Sequence, residues 1–259
     1  MDERNLNQIS KYLESHKDYL INYDFNRIYQ DTYNSDWPST CIRDMTNILY
    51  TAGLDPLKYI DYVPNSYLYL DDKRESIEIP NKGIRYIDQS AFFNCSGLKY
   101  IKIPDSVTRI YDTAFEGCCK ADIDFGNGLE MIDERAFAHC YNLQKLDFPE
   151  SLETIAAEAF SSCNSVTSII IPKGLRYIDS GAFTLCTELQ TIEWNAQFVQ
   201  LGNNIFKGCG LVHHKPIIID YKYSKRDFTN IVKNSLDYFS FETSLIVKCT
   251  DGELRYGDR

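Results

Sequence analysis

Nine cysteines and four histidines are the side chains of this 259-residue sequence best suited to chemistry. Thiols can pair as disulfides, ligate a soft metal or, once ionised, attack an electrophile. Six of the cysteines share one context, Phe-x-x-Cys, at Phe92/Cys95, Phe115/Cys118, Phe137/Cys140, Phe160/Cys163, Phe183/Cys186 and Phe206/Cys209. Five of the six phenylalanines follow an alanine (Ala91, Ala114, Ala136, Ala159 and Ala182), and successive phenylalanines lie 23, 22, 23, 23 and 23 residues apart. A fixed period of this length marks a structural repeat. The odd cysteine count and the shared repeat position point to free, buried thiols rather than a disulfide framework.

The remaining chemical candidates are weaker. Cys209 and His213, with His214 and Cys249, can be drawn as a metal site, but zinc sites usually need two properly spaced pairs and Cys209 occupies the buried repeat position. Vicinal Cys118-Cys119 suggests redox chemistry, yet Cys118 belongs to the repeat and Cys119 does not, so the two should point apart. Asp88, Asp112, Asp133 and Asp179 recur just before their phenylalanines; without a glycine-spaced loop they read as turn caps rather than calcium ligands. Cys41, near a helix start, could be an activated thiolate, but no acid or histidine partner can be traced. The sequence has no phosphate-binding glycine loop, nucleophile elbow or zinc-protease helix. No catalytic residue, metal or cofactor is expected, and a thiol enzyme using Cys41 or the Cys209/His213 region is the disfavoured alternative.

Composition narrows the partners. The chain is 44% apolar and 25% charged, which is globular. A net charge of -10 opposes nucleic acid and anionic membranes as bulk partners, because both require an excess of Lys and Arg. The N-terminal Met1-Asp2-Glu3-Arg4-Asn5 leads into a polar segment without the apolar run of a signal peptide, and no run is long enough to span a bilayer. A cytoplasmic location is therefore expected.

The repeats must be positioned by what surrounds them. Residues 1–70 show helical spacing at Leu6, Ile9, Leu13 and Leu20, a second helical stretch near Phe25, Ile28, Tyr29 and Tyr33, and a stripe at Ile42, Met45, Ile48 and Leu49 that ends at Gly53. This region is expected to be a helical cap over the first open layer. Residues 71–218 carry the repeats. Aliphatic residues stand five before each Phe (Ile87, Ile110, Ile132, Ile155, Ile178, Leu201), apolar ones eight before (Ile84, Val107, Leu129, Leu152, Leu175, Phe198), and small or apolar ones three after each Cys (Leu98, Ala121, Leu143, Val166, Leu189, Val212). An Ile-x-Ile-Pro-like strand follows, as in Ile101/Ile103/Pro104 and Ile169/Ile171/Pro172. In the 22-residue unit Ile123/Phe125 arrives one residue early, and Gly126 replaces the proline. Residues 219–259 read as a strand-helix-strand cap containing Phe228, Ile231, Val232, Leu236 and Phe239, with a tight turn at Asp251-Gly252.

The segment Ile101-Lys-Ile-Pro-Asp-Ser-Val-Thr-Arg-Ile-Tyr-Asp-Thr-Ala-Phe-Glu-Gly-Cys118 resembles the unit of the BspA-like leucine-rich repeats nearly throughout. The resemblance is close from Ile77 to Trp194 and looser in the sixth unit, Ile205 to Cys209. It implies an α/β repeat solenoid: a curved right-handed array of short parallel strands, with the Ile-x-Ile strands on its concave face, a helical N-terminal cap and a small αβ C-terminal cap. It also implies a non-enzymatic protein-binding role. Many relatives are exported adhesins, so a cell-surface, adhesin-like protein is one alternative; an accessory protein of phage or mobile-element origin that blocks a host protein is another.

A binding surface is expected on the strand residues that point away from the core. Those between the inward pairs are Glu78, Lys102, Asp124, Asp147, Ile170 and Glu193, and two positions earlier stand Ser76, Tyr100, Asp122, Lys145, Ser168 and Thr191. Of these, Glu78, Tyr100, Lys102, Asp122, Asp124, Lys145, Asp147, Ile170 and Glu193 are the candidate partner-binding residues. Their acidic cluster would suit a protein partner with a basic patch.

Overall fold

The computed structural model describes residues 62–63, 75–79, 81, 83–118, 122–213, 215–233 and 244–257. The helices expected between residues 1 and 61, together with Cys41, Cys119, Ala121, His214, Leu236 and Phe239, lie outside the described residues.

Each repeat contributes two strands. In chain order these are β1 (Tyr62–Val63), β2 (Ser76–Glu78), β3 (Tyr86–Ile87), β4 (Tyr100–Lys102), β5 (Arg109–Ile110), β6 (Asp122–Asp124), β7 (Met131–Ile132), β8 (Lys145–Asp147), β9 (Thr154–Ile155), β10 (Ser168–Ile171), β11 (Tyr177–Ile178), β12 (Thr191–Trp194) and β13 (Gln200–Leu201). Odd-numbered strands form one continuous seven-stranded parallel ladder, β1-β3-β5-β7-β9-β11-β13. Even-numbered strands form β2-β4-β6 and then β8-β10-β12, so equivalent residues of neighbouring repeats pair and the chain winds as a parallel β-solenoid. After the last turn come β14 (Ile217–Tyr221), helix α1 (Lys225–Lys233), β15 (Leu245–Cys249) and β16 (Gly252–Tyr256). β14 and β15 extend the β8-β10-β12 sheet in parallel, and β16 pairs antiparallel to β15 as its outermost strand.

The interior is built from repeated columns. Ile87, Ile110, Ile132, Ile155 and Ile178 are buried behind the short strands, and Ile101, Leu146, Ile169 and Ile192 behind the long ones. Between them runs the phenylalanine column: Phe92, Phe115, Phe137, Phe160, Phe183 and Phe206 stack with centroids 4.8, 5.0, 5.2, 5.6 and 5.6 Å apart and planes within 14° of parallel. This spacing is set by the separation of paired strands, roughly 4.8 Å, so the ring stack and the backbone ladders share one pitch.

The turn that carries each Phe is itself a ladder. Phe92 N donates to Ala114 O at 2.7 Å, Phe115 N to Ala136 O at 2.7 Å and Phe137 N to Ala159 O at 2.8 Å. Two residues before and two after each Phe the backbone is left-handed: Ser90 and Asn94, Thr113 and Gly117, Arg135 and His139, Glu158 and Ser162, Gly181 and Leu185, Asn204 and Gly208. Most of these are not glycine. The neighbouring repeat holds them there, as when Asn94 N donates to Glu116 O at 2.7 Å and His139 N to Ser161 O at 2.8 Å, which offsets the strain of φ near +60°.

The break between β6 and β8 falls at the 22-residue repeat. Ile123 and Phe125 are half-buried where their counterparts are buried, and Ile103 N bonds to Asp124 O at 2.9 Å. Gly126, in the proline position, lies against the Pro104 carbonyl, where a side chain would collide with backbone.

Two expected inward positions turn out instead. Phe198 is 70% exposed and Val199, at 6%, is inside in its place. Ala196 fills the interior just past the end of β12, and Tyr221 Oη donates to Gln197 O at 3.0 Å, which turns Phe198 outward. Val212 is 52% exposed, because the stretch from Cys209 to β14 is longer than in earlier repeats and Ile217 takes up the buried position.

Helix α1 starts with a reciprocal cap. Ser224 N donates to Asp227 Oδ2 at 3.3 Å and Asp227 N donates to Ser224 Oγ at 3.2 Å, satisfying backbone donors that a helix start leaves open. Its buried face, Phe228, Ile231 and Val232, meets Trp194 and Tyr221 at the end of the solenoid.

Candidate functional site

The thiols are the groups whose chemistry would dominate if it were available. Cys118, Cys140, Cys163, Cys186 and Cys209 are buried and unpaired by disulfide, while Cys95 and Cys249 are half-buried. Each buried thiol donates to the Phe carbonyl of the preceding repeat: Cys118 Sγ to Phe92 O at 3.1 Å, Cys140 to Phe115 O at 3.2 Å, Cys163 to Phe137 O at 3.2 Å, Cys186 to Phe160 O at 3.5 Å and Cys209 to Phe183 O at 3.0 Å. The same carbonyls accept the N–H that closes their own turn, as Cys163 N does to Phe160 O at 3.4 Å. Cysteine thus fits here as a compact hydrophobe with one weak donor. Burial pushes the Cys163 thiol up to about 12, and the neighbouring Cys209 thiol together with burial raises Cys186. Thiols held neutral in this way are poor nucleophiles and poor metal ligands.

The histidine candidate is engaged elsewhere. His213 Nε2 lies 2.6 Å from Glu188 Oε2 and 3.1 Å from Gln190 Nε2, whereas the Cys209 thiol points at Phe183 O. Among the described residues no three His, Cys, Asp or Glu side chains converge to hold a metal. The carboxylates before each Phe behave as local caps or ion pairs. Asp88 Oδ1 accepts from Gln89 N at 2.8 Å and Asp179 Oδ1 from Ser180 N at 2.6 Å. Asp133, only 6% exposed, accepts from Arg109 Nε at 2.8 Å; burial pushes its carboxyl up, against the pull of that guanidinium.

The outward strand residues are brought together. Pairing aligns Glu78, Lys102 and Asp124 in one row and Ser76, Tyr100 and Asp122 in the next. Across the break, Asp147, Ile170 and Glu193 form one row and Lys145, Ser168 and Thr191 the other. Tyr100 is 42% exposed and its Oη donates to Asp124 Oδ2 at 3.4 Å; Lys102, Asp122, Asp124, Lys145 and Asp147 are exposed, Ile170 and Glu193 half-exposed. Lys145 Nζ pairs with Asp147 Oδ2 at 2.8 Å. The rows run on into β14 and β15, where Asp220 and Lys248 continue from Glu193, and Ile218 and Ile246 from Thr191. Lys222 Nζ lies 2.9 Å from Asp220 Oδ2 and 3.8 Å from Glu193 Oε1.

These last residues were missed by sequence reasoning, although a signal existed: in Ile217-Ile218-Ile219 a strand must turn the middle residue away from the flanking two. A second outward row on the short ladder was also missed, namely Tyr86, Arg109, Met131, Thr154, Tyr177 and Gln200. Arg109 stacks 4.4 Å over the Tyr111 ring, which itself meets Tyr86 edge-on at 6.0 Å.

No helix among the described residues is long and apolar enough to cross a membrane. A comparison with solved structures places this chain beside the pneumococcal vaccine antigen PcpA, 18% identical with a TM-score of 0.57, over 72% of this chain and 43% of that one. The match therefore spans less than half of the pneumococcal protein and shows the fold. A Treponema pallidum leucine-rich repeat protein aligns at 23% identity over 66% of this chain and 86% of its own, with a TM-score of 0.47. A leucine-rich repeat protein from Bacteroides ovatus aligns at 23% identity over 57% and 53%, with a TM-score of 0.40. No curated protein matches the chain. The model of the BspA type leucine rich repeat region matches residues 62–164 and 108–222, in six copies, which takes in every turn of the phenylalanine column. No catalytic family is indicated, and leucine-rich repeat proteins generally mediate protein interactions. The stacked phenylalanines, their thiol-bonded carbonyls and the family match describe one and the same repeat, and the chain belongs to the BspA-type leucine-rich repeat family.

Proposed function

We propose that this protein is a non-enzymatic binding module that captures a protein partner bearing a basic patch, using the outward face of its long-strand sheet as the concave face of the solenoid. One observation carries the reading: inward positions of the repeats are nearly uniform, while the outward positions aligned with them run Tyr, Lys, Asp, Ile and Glu. A scaffold of invariant columns that displays varied side chains in fixed register can specify one partner. Asp122 and Asp124 stand exposed on adjacent outward positions of β6, and Asp147 begins the same row across the break. Such charges govern approach and register more than bulk affinity.

The test is capture of the partner from an extract of the protein's own source by wild type, Tyr100→Ala, Asp124→Lys and Asp147→Lys, with Thr154→Lys on the other ladder as control. Reversal at Asp124 or Asp147 should weaken capture of the same species by about tenfold or more, and raised salt should slow association. The control should bind as wild type. Equal capture by all the face variants would overturn the proposal.

A further inference from the structure

We propose that the outer edge of β16 is a self-association surface that takes a second copy of this chain in antiparallel pairing centred on Leu254. β16 ends the six-stranded sheet, and among the described residues its only strand partner is β15. Such an edge leaves a row of N–H and C=O groups ready for another strand, and charged residues on it ordinarily keep strands away. Here the two exposed charges have opposite sign and stand two residues apart, Glu253 and Arg255, so both lie on one face of the strand.

Their spacing selects one register. A two-fold pairing centred on Leu254 sets Glu253 across from Arg255 of the second copy, and symmetry makes the same contact twice. Sliding the copies by one pairing step on the same face brings Glu253 against Glu253, or Arg255 against Arg255, which repels. Across β15, Glu253 already faces Lys248, so in the pair its carboxylate would sit between two cations. Within one copy the link is looser: Arg255 Nη2 reaches Glu253 Oε2 at 3.4 Å, with both side chains well exposed. Five paired residues bury little area, so the association is weak and concentration-dependent.

This goes beyond the proposed function, and the two fail separately: partner capture depends on β4, β6 and β8, self-association on β16. Pairing would also join the outward faces of two copies into one continuous sheet. Sedimentation velocity from low to high concentration tests it. Wild type should shift from monomer to dimer. Arg255→Glu and Glu253→Arg should each stay monomeric with unchanged circular dichroism. An equimolar mixture of the two should recover the dimer, because one copy then offers two acids and the other two arginines, and the double swap should recover it as well. A wild type that stays monomeric throughout, single reversals that dimerise like wild type, or a mixture that remains monomeric would each overturn the proposal.

Discussion

Truncation of Phe137 to alanine should cost about 3–5 kcal/mol of unfolding free energy, read by chemical denaturation. Phe137 is fully buried at the middle of the ring column, stacked on Phe115 at 5.0 Å and Phe160 at 5.2 Å, and it meets the edge of Phe125 at 5.5 Å. Its backbone cannot collapse into the gap, because its N–H is tied to Ala159 and its carbonyl to the Cys163 thiol. In a stacked array each repeat is stabilised by its neighbours, so a gap in the centre should also broaden the transition as the two ends uncouple. Phe198→Ala is the contrasting case. That ring is 70% exposed and its loss should stay within about 0.5 kcal/mol. A loss below about 1 kcal/mol at Phe137 would mean the column does not hold the repeats together.

Alanine at Gly126 should destabilise by about 1–3 kcal/mol. The sign is the informative part. Gly126 does not lie in the left-handed region, so with room for a methyl group the substitution would stabilise by about 0.4–1 kcal/mol through the unfolded chain. There is no room: the new Cβ would meet the Pro104 carbonyl and lie 2.7 Å from Ile103 O, both backbone atoms of the preceding repeat. This contact is where the 22-residue unit fits beneath a 23-residue one. A stabilised Gly126→Ala variant in the same denaturation assay would contradict that packing.

Much of the fold was legible because repetition forces each inward residue to meet its own equivalent. The Phe-x-x-Cys spacing was enough to read a buried column of free thiols, and the structure adds the carbonyl to which each of the five fully buried ones donates. What sequence did not show are the features imposed by neighbours. The left-handed positions carry Ser90, Thr113, Arg135, Glu158 and Leu185, types with no strong preference for that conformation, since the adjoining turn rather than the residue decides it. Phe198 and Val212 turned outward for the same reason: at the end of the array Ala196, Tyr221 and Ile217 take up the interior that repeat residues fill elsewhere.

The candidate face was legible as geometry, because alternation along Ile101-Lys102-Ile103 or Leu146-Asp147-Phe148 leaves only one residue free to point out. Its extension through Ile218, Asp220, Ile246 and Lys248 was not read, as β14 and β15 lack the Phe-x-x-Cys mark that set the register elsewhere. The partner's identity is not written in a repeat at all. The repeat fixes only the inward positions.

The most direct measurement of the central claim, that the recurring thiols form an interior column and carry no chemistry, is site-resolved alkylation of the native protein at neutral pH followed by mass spectrometry. Among the described cysteines, half-buried Cys95 and Cys249 should label first. Cys140, Cys163 and Cys186 should label only at the rate at which the solenoid opens, and should become uniformly reactive in denaturant. Rapid labelling of Cys163 with the fold intact would contradict the account.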